Sequence, residues 1–216
     1  MISLNLKKRI NTSILLFFLF FLILNYNLIL VYSLIVLGVI SVIEFYSLIK
    51  KIIKNKIFSF FVNFIFTLYI SFFCIMFFFF SNFLQLKIIL FSLLLGCVAS
   101  DIGGFIFGKL LKGPKLTKIS PNKTISGAIG SIIFTSLTIS ISLFYFTKNF
   151  NYLILIICLI TSVASQIGDL LFSFLKRKAK IKDTGNFLPG HGGVLDRLDG
   201  ILFGVPTGIY ALTLFY

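Results

Sequence analysis

The sequence predicts an all-α fold: a polytopic transmembrane helical bundle of about seven membrane helices with a cytoplasmic N-terminus. Composition is the first reason. Of 216 residues, 58% are hydrophobic and 12% are charged, with a mean hydropathy of +1.08, well outside the range of a soluble domain. The second is that apolar runs approaching or exceeding the ~20 residues needed to cross ~30 Å of hydrocarbon recur along the chain, separated by short polar gaps. The third is where the cations fall. A net charge of +14 on a soluble fold would suggest nucleic acid, but here Lys and Arg sit in the gaps between apolar runs, where they set topology. No nucleic-acid partner is expected; the lipid bilayer is.

The apolar runs are Ile10–Leu24, Leu28–Ile49, Ile57–Phe80, Leu86–Phe107, Gly127–Thr147, Tyr152–Phe174 and Ile201–Tyr216. Lys7, Lys8 and Arg9 precede the first, as in a signal peptide, but no small-x-small cleavage pattern follows, so it is read as a retained helix. That run is short for a full crossing. With the N-terminus inside, the cytoplasmic segments collect Lys7 to Arg9, then Lys50, Lys51, Lys54 and Lys56, then Lys109, Lys112, Lys115, Lys118 and Lys123, then the cations of the last loop. Only Lys87 and Lys148 remain outside. Residues 1–216 are expected to form a single integral membrane domain, with N-terminal helices in 1–85 and a catalytic half in 86–216. Cys74, Cys97 and Cys158 lie singly in apolar runs and read as small buried hydrophobes.

Acidic residues are scarce. Glu44, near the inner end of the second run, is expected to snorkel or form an ion pair close to Lys50 and Lys51, a direct site role being the other reading. In the fourth run Asp101, Gly104 and Gly108 share a helix face. The glycines there allow close approach by another helix or a ligand, and Asp101 is either a site residue or half of an interhelical hydrogen bond. The gap from Lys109 to Gly127 either hugs anionic headgroups or turns Lys123 back toward a site, with Ser120, Asn122 and Thr124 as phosphate donors. On the sixth run Ser162, Ser165, Gln166, Asp169, Ser173 and Lys176 recur at helical spacing, a polar stripe that belongs inside the protein or on a watery cavity.

The segment from Ser165 to Gly200 holds four of the six acidic residues, Asp169, Asp183, Asp196 and Asp199, together with His191, the single histidine. Between them stand Lys176, Arg177, Lys178, Lys180, Lys182 and Arg197. Gly190, Gly192 and Gly193 flank His191 and leave the backbone able to aim N–H groups at an anion. Asp196 and Asp199 share one face at the positive end of the last helix. Hard oxygen ligands among cations suit Mg²⁺ bound with phosphates, and the parts fit phosphoryl or nucleotidyl transfer. Nothing suggests zinc, a redox centre or a Ser-His-Asp relay.

The string KR-x4-KD-x5-PGHGG-x2-DR-x-D, from Lys176 to Asp199, resembles the signature of bacterial phosphatidate cytidylyltransferases, the CDP-diacylglycerol synthases. Ser165-Gln166-x-Gly168-Asp169, Ser100-Asp101 and Ser120-Pro121-x-Lys123-Thr124 are similar to that family too. The chain departs from it at Ser126, at Gly104-Phe105, at Gly200 and in its smaller number of helices. The resemblance implies condensation of CTP with phosphatidic acid to CDP-diacylglycerol and pyrophosphate, in a bacterial inner membrane, with the site facing the cytoplasm. It favours Asp169 and Asp196 as Mg²⁺ ligands and suggests a homodimer.

On our reading of the residues, Asp101, Asp183 and Asp199 are further ligands or anchors, with a second cation such as K⁺ admissible. Lys176, Arg177, Lys182 and Arg197 draw in phosphates. His191 holds a phosphate or assists proton transfer, and Ser165, Lys123, Gly190, Gly192 and Gly193 bind substrate. A CTP-dependent polyprenol or lipid kinase is the neighbouring alternative. A cation transporter fits less well, because the acids gather on one side.

Overall fold

The computed structural model describes residues 4–117, 120, 123–148, 151–190 and 192–215. These form seven helices: α1 (Leu4–Asn25), α2 (Asn27–Ile52), α3 (Lys56–Ser81), α4 (Leu84–Leu111), α5 (Ile125–Thr147), α6 (Leu153–Lys178) and α7 (Leu195–Phe215). From α2 to α7, six helices are long and apolar enough to cross a membrane, while the apolar part of α1 is shorter, Ile10–Asn25. The chain is a polytopic, all-helical membrane protein.

The helix ends differ from the hydropathy ends in one consequential place. Hydropathy falls at the first charged residues, but backbone hydrogen bonding continues until a cap ends it. Hence α6 runs on through Lys176 and Arg177, and α7 already begins at Leu195. A Schellman motif closes α6: Ile181 N–H donates to Lys176 O (3.0 Å), Lys180 N–H donates to Arg177 O (3.1 Å), and Lys180 takes the left-handed conformation at φ 57°. The cations of that last turn sit where the helix dipole favours them.

The chain divides into two compact units. Unit 1 is Met1–Asn82 with Leu175–Arg197, and unit 2 is Phe83–Phe174 with Leu198–Tyr216. In unit 1, α2 packs on α3 and α1 on α2. Phe45 stacks on Phe66 with ring centroids 3.7 Å apart, and the Cys74 thiol donates to Leu34 O at 3.6 Å.

In unit 2, α4 and α5 cross at close range through glycine. A Cβ on Gly130 would lie 2.8 Å from Gly103 O, and one on Gly104 would lie 2.7 Å from Ser131 Oγ. Water provides no hydrophobic drive between helices in lipid, so such crossings are held by backbone proximity and hydroxyl bonds. Ser131 Oγ donates to Ser100 O (2.7 Å) and Thr135 Oγ1 donates to Gly96 O (3.2 Å). The glycine face expected beside Asp101 is therefore answered by another helix, α5. Cys97 and Cys158 are buried, and all three cysteines are free.

Candidate active site

Unit 2 contains a cavity of about 250 Å³ lined by residues of α4, α5, α6 and the segment before α5, with Asp101, Lys123, Thr124, Ser131, Gln166 and Asp169 among otherwise apolar neighbours. Lys123 reaches it because the segment before α5 folds back on itself. Leu116 N–H donates to Lys123 O (2.8 Å), and Ile125 N–H donates to Pro114 O (2.9 Å). Thr124 then caps α5 by accepting from Gly127 N–H at 3.1 Å. The Lys123 ammonium forms an ion pair with the Asp169 carboxylate, which also accepts from Ser173 Oγ at 3.3 Å. Gln166, one turn before Asp169, donates to Ala128 O (3.3 Å) and Ser162 Oγ (3.3 Å), fixing the polar stripe of α6 toward α5.

The cavity's donors are carboxylate, carboxamide and hydroxyl oxygens, with no thiol or imidazole among its lining residues. That set fits Mg²⁺, which commonly takes one or two protein carboxylates and completes its shell with water and substrate phosphate. Among the described residues, no three or more His, Cys, Asp or Glu side chains gather to hold an ion. The four aspartates expected as ligands therefore do not form one carboxylate cage.

Other expected residues occupy different positions. Asp199 is buried, and its Oδ1 accepts from Gly200 N–H at 2.9 Å. Ser165 is 1% exposed, packed where a Cβ on Gly200 would lie 2.6 Å from its Oγ, and it is not part of the cavity lining.

In unit 1 the loop between α6 and α7 is closed at its base by two carboxylates. Asp196 Oδ1 accepts from Lys176 Nζ at 2.7 Å. Its Oδ2 accepts from Thr184 N–H (2.8 Å) and Gly193 N–H (3.1 Å). Glu44 Oε2 accepts from Thr184 Oγ1 (2.9 Å) and Leu195 N–H (2.8 Å), and Oε1 from Val194 N–H (3.0 Å). The ion pair expected for Glu44 is thus replaced by donors from the loop and from the start of α7. The reason is physical: unpaired N–H groups open a helix and attract a carboxylate as a cation does.

Within the loop, Leu188 and Gly192 exchange both backbone hydrogen bonds (3.0 and 3.2 Å), and Gly190 and Gly192 adopt φ 79° and 84°. The amides of Gly192 and Gly193, expected to cradle an anion, are therefore engaged by Leu188 O and Asp196. These glycines serve the turn's shape. Arg177, Lys182, Asp183 and Arg197 are exposed, with the Asp183 side chain 3.4 Å from where a Gly192 Cβ would lie. His191, Pro121 and Asn122 lie outside the described residues.

Gln166 was not singled out from the sequence as a site residue, and for Glu44 a site role was only the second reading. Gln166 was visible in the stripe and carried a usable signal, a carboxamide one turn from Asp169. Glu44 carried a fainter one, a carboxylate with apolar neighbours and no cation within one turn.

The cytidylyltransferase family model matches residues 1–215. A Staphylococcus haemolyticus protein named phosphatidate cytidylyltransferase is 45% identical over 109 residues, 50% of this chain and 42% of that protein. A Helicobacter pylori protein of the same name is 44% identical over 123 residues, 57% of this chain and 46% of its own length. One from Staphylococcus aureus is 46% identical over 110 residues, 50% of this chain and 42% of its own length. Each match thus spans less than half the length of the curated relative.

Proposed function

Because the chain belongs to the cytidylyltransferase family, we propose that it condenses CTP with phosphatidic acid, giving CDP-diacylglycerol and pyrophosphate, at the cytoplasmic face of a bacterial inner membrane. The observation that carries this reading is the unit 2 cavity, where Asp101, Asp169 and Lys123 meet on and beside membrane-spanning helices. Carboxylates on such helices are costly, and a site for a cation and phosphate accounts for their placement.

A phosphate monoester is largely dianionic at neutral pH, so its oxygen needs little help from a base. That oxygen attacks the α-phosphorus of CTP; the new P–O bond forms as the bond to the β-phosphate breaks, and pyrophosphate leaves with the electron pair. The difficulty is bringing two anions together, which is electrostatic. Asp101 and Asp169 would hold Mg²⁺ with help from the neighbouring Gln166 and Ser131 oxygens. Bound there, the ion would neutralise phosphate charge and stabilise the leaving group. Lys123, released from Asp169 as phosphate enters, contributes a positive charge.

On unit 1, Arg177, Lys182 and Arg197 offer exposed cations to phosphates. Lys176 stays with Asp196. The Asp196 carboxylate has about four lone-pair sites, so its three donors leave one for a metal. A second cation such as K⁺ and a homodimer belong to the same proposal.

The test uses protein purified in mild detergent, phosphatidate, and CTP labelled at either the α- or the γ-phosphate. Expected results are α-label in the lipid with stoichiometric pyrophosphate, loss on chelation, recovery with Mg²⁺, and about a hundredfold loss in Asp169→Asn. Transfer of γ-label to lipid would make the protein a lipid kinase and overturn the reading.

A further inference from the structure

Glu44 is 6% exposed and lies in a membrane-spanning helix, so its carboxylate must be compensated there. Its partners are all in one place: Thr184 Oγ1 at one end of the loop, and Val194 and Leu195 N–H at the other. The loop is also shaped around it. A Cβ on Gly193 would lie 2.6 Å from Glu44 Oε2 and 2.8 Å from Gly185 N, and a Cβ on Gly185 would lie 2.8 Å from Glu44 Cδ. Neither position has room for a side chain. Asp196 joins the same two ends through Thr184 N–H and Gly193 N–H. Two carboxylates from different helices thus close the loop base, and neither suffices alone: Glu44 binds the hydroxyl and the two helix-opening amides, whereas Asp196 binds the backbone before each.

We propose that Glu44 is a positioning residue for the reaction. It touches no substrate. By holding Thr184 and the first residues of α7, it fixes the geometry of Asp196, Lys176 and the basic loop that offers cations to phosphate. The proposal rests on the reading of the chain as a CTP-using enzyme. A carboxylate is required because both oxygens face donors. In Glu44→Gln one of those oxygens becomes an NH₂ group pointing at a backbone N–H, so at least one hydrogen bond is lost and the charge at the start of α7 disappears.

The experiment compares wild type, Glu44→Gln and Thr184→Val. Thr184→Val removes one donor while leaving Glu44 its two amides, and it guards against a Glu44 variant that fails to fold. We expect KM for CTP to rise about tenfold in Glu44→Gln and about threefold in Thr184→Val, with KM for phosphatidate little changed and the thermal midpoint lowered by the lost hydrogen bonds. A brace with no bearing on the nucleotide would lower the midpoint and leave KM for CTP alone, and that result would overturn the proposal. Hydrogen exchange supplies a readout independent of catalysis. The Val194 and Leu195 amides should be protected in wild type and lose about tenfold protection in Glu44→Gln. Fast exchange of both in wild type would also overturn it. A wild type that makes no cytidylated lipid would defeat the proposed function, while exchange would still decide the Glu44 contacts.

Discussion

Replacing Asp196 tests the loop base directly, because its carboxylate is 7% exposed and each of its donors is identified. In Asp196→Ala the Lys176 ammonium, itself 16% exposed, loses its counter-ion at 2.7 Å. The amides of Thr184 and Gly193 lose their acceptor at 2.8 and 3.1 Å. Leaving a buried charge uncompensated costs about 3–5 kcal/mol. Asp196→Asn is gentler. Its remaining oxygen can face the two amides, which keeps both backbone bonds, and its NH₂ then opposes Lys176, a loss of about 1.5–3 kcal/mol for one charged hydrogen bond.

The assay is hydrogen exchange in detergent, read at peptides covering Thr184 and Gly193. By these magnitudes protection falls at least about a hundredfold in Asp196→Ala. In Asp196→Asn those two amides keep most of theirs, while activity still drops because Lys176 is displaced. Protection unchanged in Asp196→Ala, or lost equally in both variants, would refute the assignment of the two amides to Oδ2.

Two further outcomes follow from unit 2. Lys123→Met removes the partner of Asp169; with side chains 25% and 29% exposed the pair contributes under ~1 kcal/mol to stability, so the thermal midpoint should barely move while KM for CTP rises about tenfold. Gly130→Ala places a methyl 2.5 Å from Phe107 Cβ and 2.8 Å from Gly103 O, so α4 and α5 must separate. Unfolding of the purified protein should show a loss of about 1–3 kcal/mol, with activity falling in parallel because Asp101 and Ser131 flank that crossing.

Much was legible in one dimension. Lipid leaves the backbone no partner but itself, so long apolar runs can only be helices, and all seven were countable. The polar stripe of α6 and the glycines beside Asp101 were legible for the same reason, since helical periodicity alone puts them on one face. What the Gly192 and Gly193 amides bond to was not. Glycine licenses many backbone conformations, and only the loop's own hydrogen bonding commits the Gly192 and Gly193 amides to Leu188 and Asp196.

What the sequence by itself determined is the helical, membrane-spanning class and the family signature in the last loop, because both are written in local order: hydropathy along a helix, and residues a few positions apart. Only tertiary structure decided what Glu44 does. Its donors lie 140 to 151 residues away along the chain, and no periodicity in α2 announces them. A buried carboxylate must find compensation somewhere, but which groups supply it depends on the segments folding brings alongside.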